Sequence, residues 1–227
     1  MGPELLLHEI LAARRVTLVR RPIGALRLAL PTTLMLDALE PEVATAFDRA
    51  MVALRTAGAQ IVEISLPELG EVATINATGG FSPAEAWAWH RHRLATEEAR
   101  YDPRVAARIR RGATMSAADY IDLLRARGDW IGRMERAIAG FDALLSPTVP
   151  CIAPELAPLL ADDAAFFAVN ALLLRNPSVV NLLDGCAISL PCHGEGDPPV
   201  GLMLWSGALR DDALLDAALA IEHVLAR

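Results

Sequence analysis

Two short apolar runs, each closed by a proline, flank one amphipathic helical pattern between residues 26 and 67. No other feature constrains the fold of this 227-residue chain as tightly. Residues 26–30 (LRLAL) form a strand candidate stopped by Pro31, whose missing N–H cannot extend a ladder. Pro41 opens a helix to about Ala57, because Val43, Phe47, Met51 and Leu54 recur at spacings that place them on one face. Gly58 closes it. Residues 60–66 form the next strand, with Ile61, Ile64 and Leu66 apolar, and Pro67 ends it. Strand, helix, strand is the pattern of a crossover unit with parallel strands.

The middle of the chain reads as helical. Ser82 is expected to cap a helix with Pro83 at its first position, running through Trp87 and Trp89 to about Arg100. Asp102 and Pro103 begin a shorter helix to Arg111, ended by Gly112. Ser116 followed by Asp119 resembles a capping box. The next helix places Tyr120, Leu123, Leu124, Ile131, Met134 and Ile138 on one broad face and ends at Gly140. Residues 143–147 read as a buried strand entering a loop that holds Pro147, Pro150, Pro154 and Pro158. Helix is expected from about Asp162 to Leu174. Strands follow at 187–190 and 200–205, paired as a hairpin across the Gly- and Pro-rich turn at 193–199. The last helix starts near Asp211 and carries Leu214, Leu215, Ala218, Ile221 and Leu225. The sum is an α/β fold: a mixed sheet of about five strands with flanking helices. One domain is expected over residues 24–227, with 1–23 unassigned.

Composition removes several classes of function. Hydrophobic residues make up 53% of the chain, enough to fill a core. The net charge of −7 and the lack of a basic patch with interleaved aromatics leave no footprint for nucleic acid. Three cysteines, Cys151, Cys186 and Cys192, make neither a disulfide framework nor a CxxC zinc pair. Residues 5–11 are apolar, but their arginines (Arg14, Arg15, Arg20, Arg21) follow rather than precede them, the wrong order for a secretory signal. The stretch is also too short to span a bilayer. A cytoplasmic protein without cofactor or metal is expected.

A nucleophile with its base is not found. No GxSxG elbow surrounds any serine, and no phosphate loop or dinucleotide fingerprint is present. His90 and His92 are two apart on a predicted helix and point to different faces. All 21 basic residues are arginine, so chemistry that needs a lysine base is excluded for this chain alone. A catalytic Cys186 would need a histidine, and His193 is the near candidate in sequence; a cysteine entering an apolar strand is more often simply buried. Arg108, Arg110 and Arg111 could hold an anion, though a solvated helix face is the plainer reading. Trp87 and Trp89 read as packing.

Five stretches together resemble the C-terminal half of the amidase signature family: GALRLALP at 24–31 with LEPEV at 39–43 and the Ala57–Pro67 region; RIRRG at 108–112 with SAADY at 116–120; FDALLSPTVP at 141–150; VNLLDGCAISLPC at 180–192; and PVGLMLW at 199–205 followed by DDALL at 211–215. The resemblance implies the C-terminal part of the amidase fold and an enzyme class that hydrolyses carboxamide C–N bonds. Its chemistry is a Ser–cis-Ser–Lys triad with a Gly/Ser-rich oxyanion loop. Those parts lie upstream of the region matched here, so the chain is expected to be inactive alone. By position, the resemblance nominates Ser146, Thr148, Asn181 and Arg108 for substrate binding. Amide-transferring relatives grip the substrate's amino group with an acidic residue where this sequence has Leu174. The expected partners are a separate N-terminal amidase half or a second copy, with a small amide as substrate in the complete enzyme and neither nucleic acid nor membrane. The alternative is a non-enzymatic remnant or partner-binding subunit. Strands at 26–30, 143–147, 187–190 and 200–205 are expected to leave open edges.

Overall fold

Ahead of the crossover unit lies a helix in the segment left unassigned from sequence, α1 (Gly2–Ala12). The computed structural model describes residues 2–226. The crossover follows as read: β1 (Arg27–Pro31), α2 (Pro41–Thr56) and β2 (Gln60–Ile64), with β1 and β2 parallel and in register from Arg27 opposite Gln60 to Pro31 opposite Ile64. Helix α2 buries Val43, Ala46, Phe47, Ala50, Met51 and Leu54, the face its spacing foretold. Gly58 turns the chain out of it at φ +95°, where a Cβ would be strained.

Contacts divide the chain into two units, Glu68–Arg133 and the rest on either side of it. The smaller unit holds α3 (Val72–Ile75), α4 (Phe81–Glu97), α5 (Pro103–Arg110) and most of α6 (Ala117–Ala137). Asp102 caps α5 by accepting from the Arg104 and Val105 amides, and Ser116 and Asp119 exchange the two bonds of a capping box. Ser82 does not cap α4. That helix begins two residues earlier than expected, at Phe81 rather than Pro83, and its cap residue is Gly80 at φ +78° with no side-chain bond. Trp87 packs beside Leu94, Ala106 and Ile109, whereas Trp89 is 83% exposed. Leu124, assigned to the buried face of α6, is 47% exposed, while Leu123 is buried. Gly112 sits where a Cβ would collide with the Pro83 carbonyl, so α4 and the turn after α5 meet backbone to backbone.

The larger unit is built on β3 (Ala143–Pro147), β4 (Cys186–Pro191) and β5 (Gly201–Ser206), which join β1 and β2 in the order β2-β1-β3-β5-β4. β1 pairs with β3 in parallel, and β5 is antiparallel to both β3 and β4. β4 therefore points the same way as β3. One sheet face carries Leu28, Leu30, Leu145, Leu202 and Leu204, packed with residues of α2 and of α9 (Asp211–Leu225) such as Phe47 and Ile221. Each fully buried leucine contributes about 2 kcal/mol of transfer free energy. The other face buries Leu144, Ser146, Met203 and Trp205 along β3 and β5. Three of the four strands expected to be open, β1, β3 and β5, are interior and paired on both sides; β4 is an edge, as is β2.

Between β3 and β4 lie α7 (Leu156–Ala161) and α8 (Asp163–Leu183). Helix α8 runs well past Leu174, through Pro177, to Leu183. An interior proline removes one ladder bond and costs about 3 kcal/mol. Here Asn176, Val179, Val180, Leu182 and Leu183 are buried around and beyond it, and that burial outweighs the local penalty. By length and composition alone α8 could cross a membrane (mean hydropathy 1.3).

Candidate functional site

Because β1, β3 and β4 point the same way, their carboxyl ends share one edge of the sheet. In open α/β sheets the crevice outside those ends is the usual place for a ligand. At this edge β3 runs out through Pro147 into Thr148. The Thr148 amide donates to the Gly201 carbonyl at 2.8 Å, and its Oγ1 lies 2.6 Å from Ser189 Oγ on β4. Gly201 makes the approach possible, since a Cβ there would collide with Ser189 Oγ and stand 2.6 Å from Thr148 Oγ1.

Asn176 fixes the loops beneath this spot. It is fully buried, and its Nδ2 donates to the carbonyls of Pro147 (2.8 Å) and Met35 (3.1 Å). Its Oδ1 accepts from Arg175 Nε at 3.1 Å, and Arg175 Nη1 donates to the Asp37 carbonyl at 2.6 Å. One turn of α8 thus ties the segment after β1 to the end of β3. Burial pushes the Arg175 guanidinium below its ordinary value, opposed by Asp37. The same corner holds Glu40, whose Oε2 accepts from the Ile152 amide at 2.9 Å. Cys151 is buried there, its thiol raised by desolvation and then by Glu40.

Among the nominated residues, Thr148 stands at the rim with Ser189. Ser146, two residues earlier, is fully buried, and its Oγ has no hydrogen-bond partner among the described residues. Asn181 is exposed in the last turn of α8, which Asp184 closes at φ +60°. Gly185 follows, placed so that a Cβ would collide with the Ser206 carbonyl. Leu174 is 40% exposed. Arg108 belongs to the smaller unit, in the last turn of α5, where its neighbour Arg110 pairs with Glu98.

The Cys186–His193 pair does not form. His193 Nδ1 lies 3.3 Å from the Val200 amide, in position to accept from it. Cys186 instead lines a cleft with His8 and Asp211, and its Sγ donates to the Gly207 carbonyl at 3.5 Å. Desolvation lifts its pKa to about 11, so at neutral pH it is a protonated thiol rather than a nucleophile. No cluster of metal-ligating side chains occurs among the described residues. Sequence reading missed Ser189, Gly201 and Asn176, because their partners lie on other strands and loops and no local period marks them.

The amidase family model matches residues 17–215. The 2-amino-5-chloromuconic acid deaminase of Comamonas testosteroni is 29% identical over 204 residues, which cover 89% of this chain and 44% of that protein. A glutamyl-tRNA(Gln) amidotransferase subunit of Cenarchaeum symbiosum is 28% identical over 220 residues, 87% of this chain and 45% of the relative. Among solved structures, allophanate hydrolase of Kluyveromyces lactis superposes with a TM-score of 0.79 at 25% identity, covering 93% of this chain and 34% of its own. A crystal structure of an amidase superposes at 0.81 over 99% of this chain and 51% of its own; at 24% identity that likeness speaks for the fold alone. The chain spans about half the length of these relatives, or less. With most of its residues inside the family match, the chain belongs to the amidase family.

Proposed function

We propose that this chain forms the carboxyl-terminal half of an amidase and hydrolyses carboxamide C–N bonds only when joined to a half that carries the nucleophile. One observation carries this reading: the family match takes in residues 17–215 of a sequence without a single lysine. Family chemistry needs that lysine as the base that activates the serine through its bridging serine. In this reading residues 24–227 act as one C-terminal amidase-like domain in the cytoplasm. They complete the sheet and supply a wall of the substrate pocket. Thr148 faces substrate there and Ser146 backs it, while Asn181, in the last turn of α8, and Arg108, in the smaller unit, are further proposed substrate contacts. The partner is an N-terminal amidase half, in the same polypeptide or a second one, and the free edge of β4 is where further strands would add.

A non-enzymatic, partner-binding role is the second reading, favoured by the lack of both lysine and a Gly/Ser-rich loop. Ammonia release from a panel of simple amides tests both. The chain alone is expected to give no turnover and no adduct with a phenylmethylsulfonyl-type probe by intact mass, while co-expression with a lysine-bearing, Gly/Ser-rich half restores both. Turnover with an adduct on the chain alone would overturn the half-enzyme reading. Inactivity in a stable complex with that half would leave the partner-binding one.

A further inference from the structure

The 2.6 Å separation of Thr148 Oγ1 and Ser189 Oγ is short for an O–H···O bond, so one hydroxyl donates to the other. Two hydroxyls bring two protons and one is used within the pair. One donor remains, together with free lone pairs, and neither group is charged. Ladder bonds hold the pair in place. The Thr148 amide is tied to the Gly201 carbonyl, and Ser189 sits opposite Met203 in the β4–β5 register. Ser189 is exposed and Thr148 partly so, at the carboxyl edge where ligands of open sheets sit. Gly201 supplies the room, since any side chain there would fill the space against both hydroxyls.

We propose that Ser189, with Thr148, is a polar subsite for a neutral carboxamide group, and that Gly201 keeps it open. The proposal rests on the reading of the chain as part of an amidase. A primary carboxamide offers a carbonyl to the remaining hydroxyl proton and an N–H to a hydroxyl lone pair. A carboxylate offers acceptors alone and brings a charge that two hydroxyls do not neutralise. Because ladder bonds fix the hydroxyls, little ordering accompanies binding.

The experiment titrates the 15N-labelled 227-residue chain with propionamide and, separately, with sodium propionate, following backbone amides by NMR. Propionamide is expected to shift the Thr148, Ser189 and Gly201 resonances saturably, and propionate to leave them in place. Ser189→Ala removes one neutral hydrogen bond and is expected to weaken binding about fivefold. Thr148→Ser, which keeps its hydroxyl, binds like the parent. Gly201→Ala loses binding; its circular dichroism separates loss of the subsite from loss of the fold. Absence of a saturable shift with propionamide, an equal response to propionate, or indifference to Ser189→Ala would each overturn the proposal. The half-enzyme reading fails on different evidence, the ammonia assay, so carboxamide binding without restored turnover would retain the subsite and refute the function.

Discussion

Replacing Asn176 by leucine tests the tie between α8 and the carboxyl edge. The two side chains are of similar size, so the change removes hydrogen bonding with little change in volume. It withdraws the donor of both the Pro147 and the Met35 carbonyls, and it removes the acceptor of Arg175 Nε. Asn176 has no exposed surface, so water does not take its place at once. A buried polar group left without a partner costs about 1–3 kcal/mol, so the two carbonyls together imply a loss of about 2–6 kcal/mol. That is a large part of the total of about 5–15 kcal/mol on which a folded protein runs. For a chain of this length each kcal/mol moves the melting temperature by about 2–4 °C, so a drop on the order of 10 °C is expected. Thermal and urea unfolding followed by circular dichroism measure it, with Val52→Ala on the exposed side of α2 as the comparison, expected to change stability by about 0.5 kcal/mol or less. A loss below about 1 kcal/mol for Asn176→Leu would refute the reasoning, since it would mean that the two carbonyls do not depend on this amide.

Further expectations follow for other parts of the chain. Gly112→Ala forces a methyl group into the Pro83 carbonyl and should destabilise the smaller unit by about 1–3 kcal/mol, seen as lost hydrogen-exchange protection in α4 and α5; unchanged protection would contradict the backbone approach. Asp216 is buried and accepts from the Arg20 and Arg21 amides at 2.5 and 3.3 Å, so Asp216→Ala should speed tryptic cleavage at Arg14, Arg15 and Arg20, with no change at Arg55. Burial pushes Cys186 and Cys192 to about 11, so both should alkylate slowly at pH 8 until the chain is denatured. Their unfolded value lies near 8.5, so stability should fall as pH rises from there toward about 11; a flat alkaline profile would contradict this. The carboxyls of Asp212 and Glu71 are held below their ordinary values chiefly by hydrogen bonds from Arg14 and Arg133. Their contribution is present above the ordinary carboxylate range and is lost as pH falls through the lowered values, so melting temperature should decline on acidification below about pH 4.

Much of the fold was legible because its signals are local. Val43, Phe47, Met51 and Leu54 declare one helical face by spacing alone, and Pro31 and Pro67 mark strand ends within a few residues of where the strands stop. The Ser116–Asp119 box needs only a few residues of sequence. Where reading failed, distant partners had decided the outcome. Pro177 looks like a helix stop until the burial on either side of it is known. Leu124 has the right spacing for the buried side of α6, yet solvent meets it in the folded chain. The site was less legible still. Thr148 was nominated by likeness to a family, but its hydroxyl partner lies 41 residues away, and Asn176 reaches carbonyls 29 and 141 residues distant. Side chains that meet across strands and loops leave no period in the sequence. Histidine shows the same limit: the histidine that lines one cleft with Cys186 is His8, 178 positions away in sequence, not the nearby His193.

The strand order has a consequence for synthesis. β1 finds β2 and β3 as they emerge, but β4 has no partner until β5, at residues 201–206, has been made. A nascent chain halted at residue 200 would leave β3 unpaired on one side and β4 on both, and neither strand contains a charged residue to blunt it. Ribosomal pausing or premature termination in that window would therefore release the species of this chain most prone to aggregate, and the codons for β5 decide whether the strands made before them find their partners.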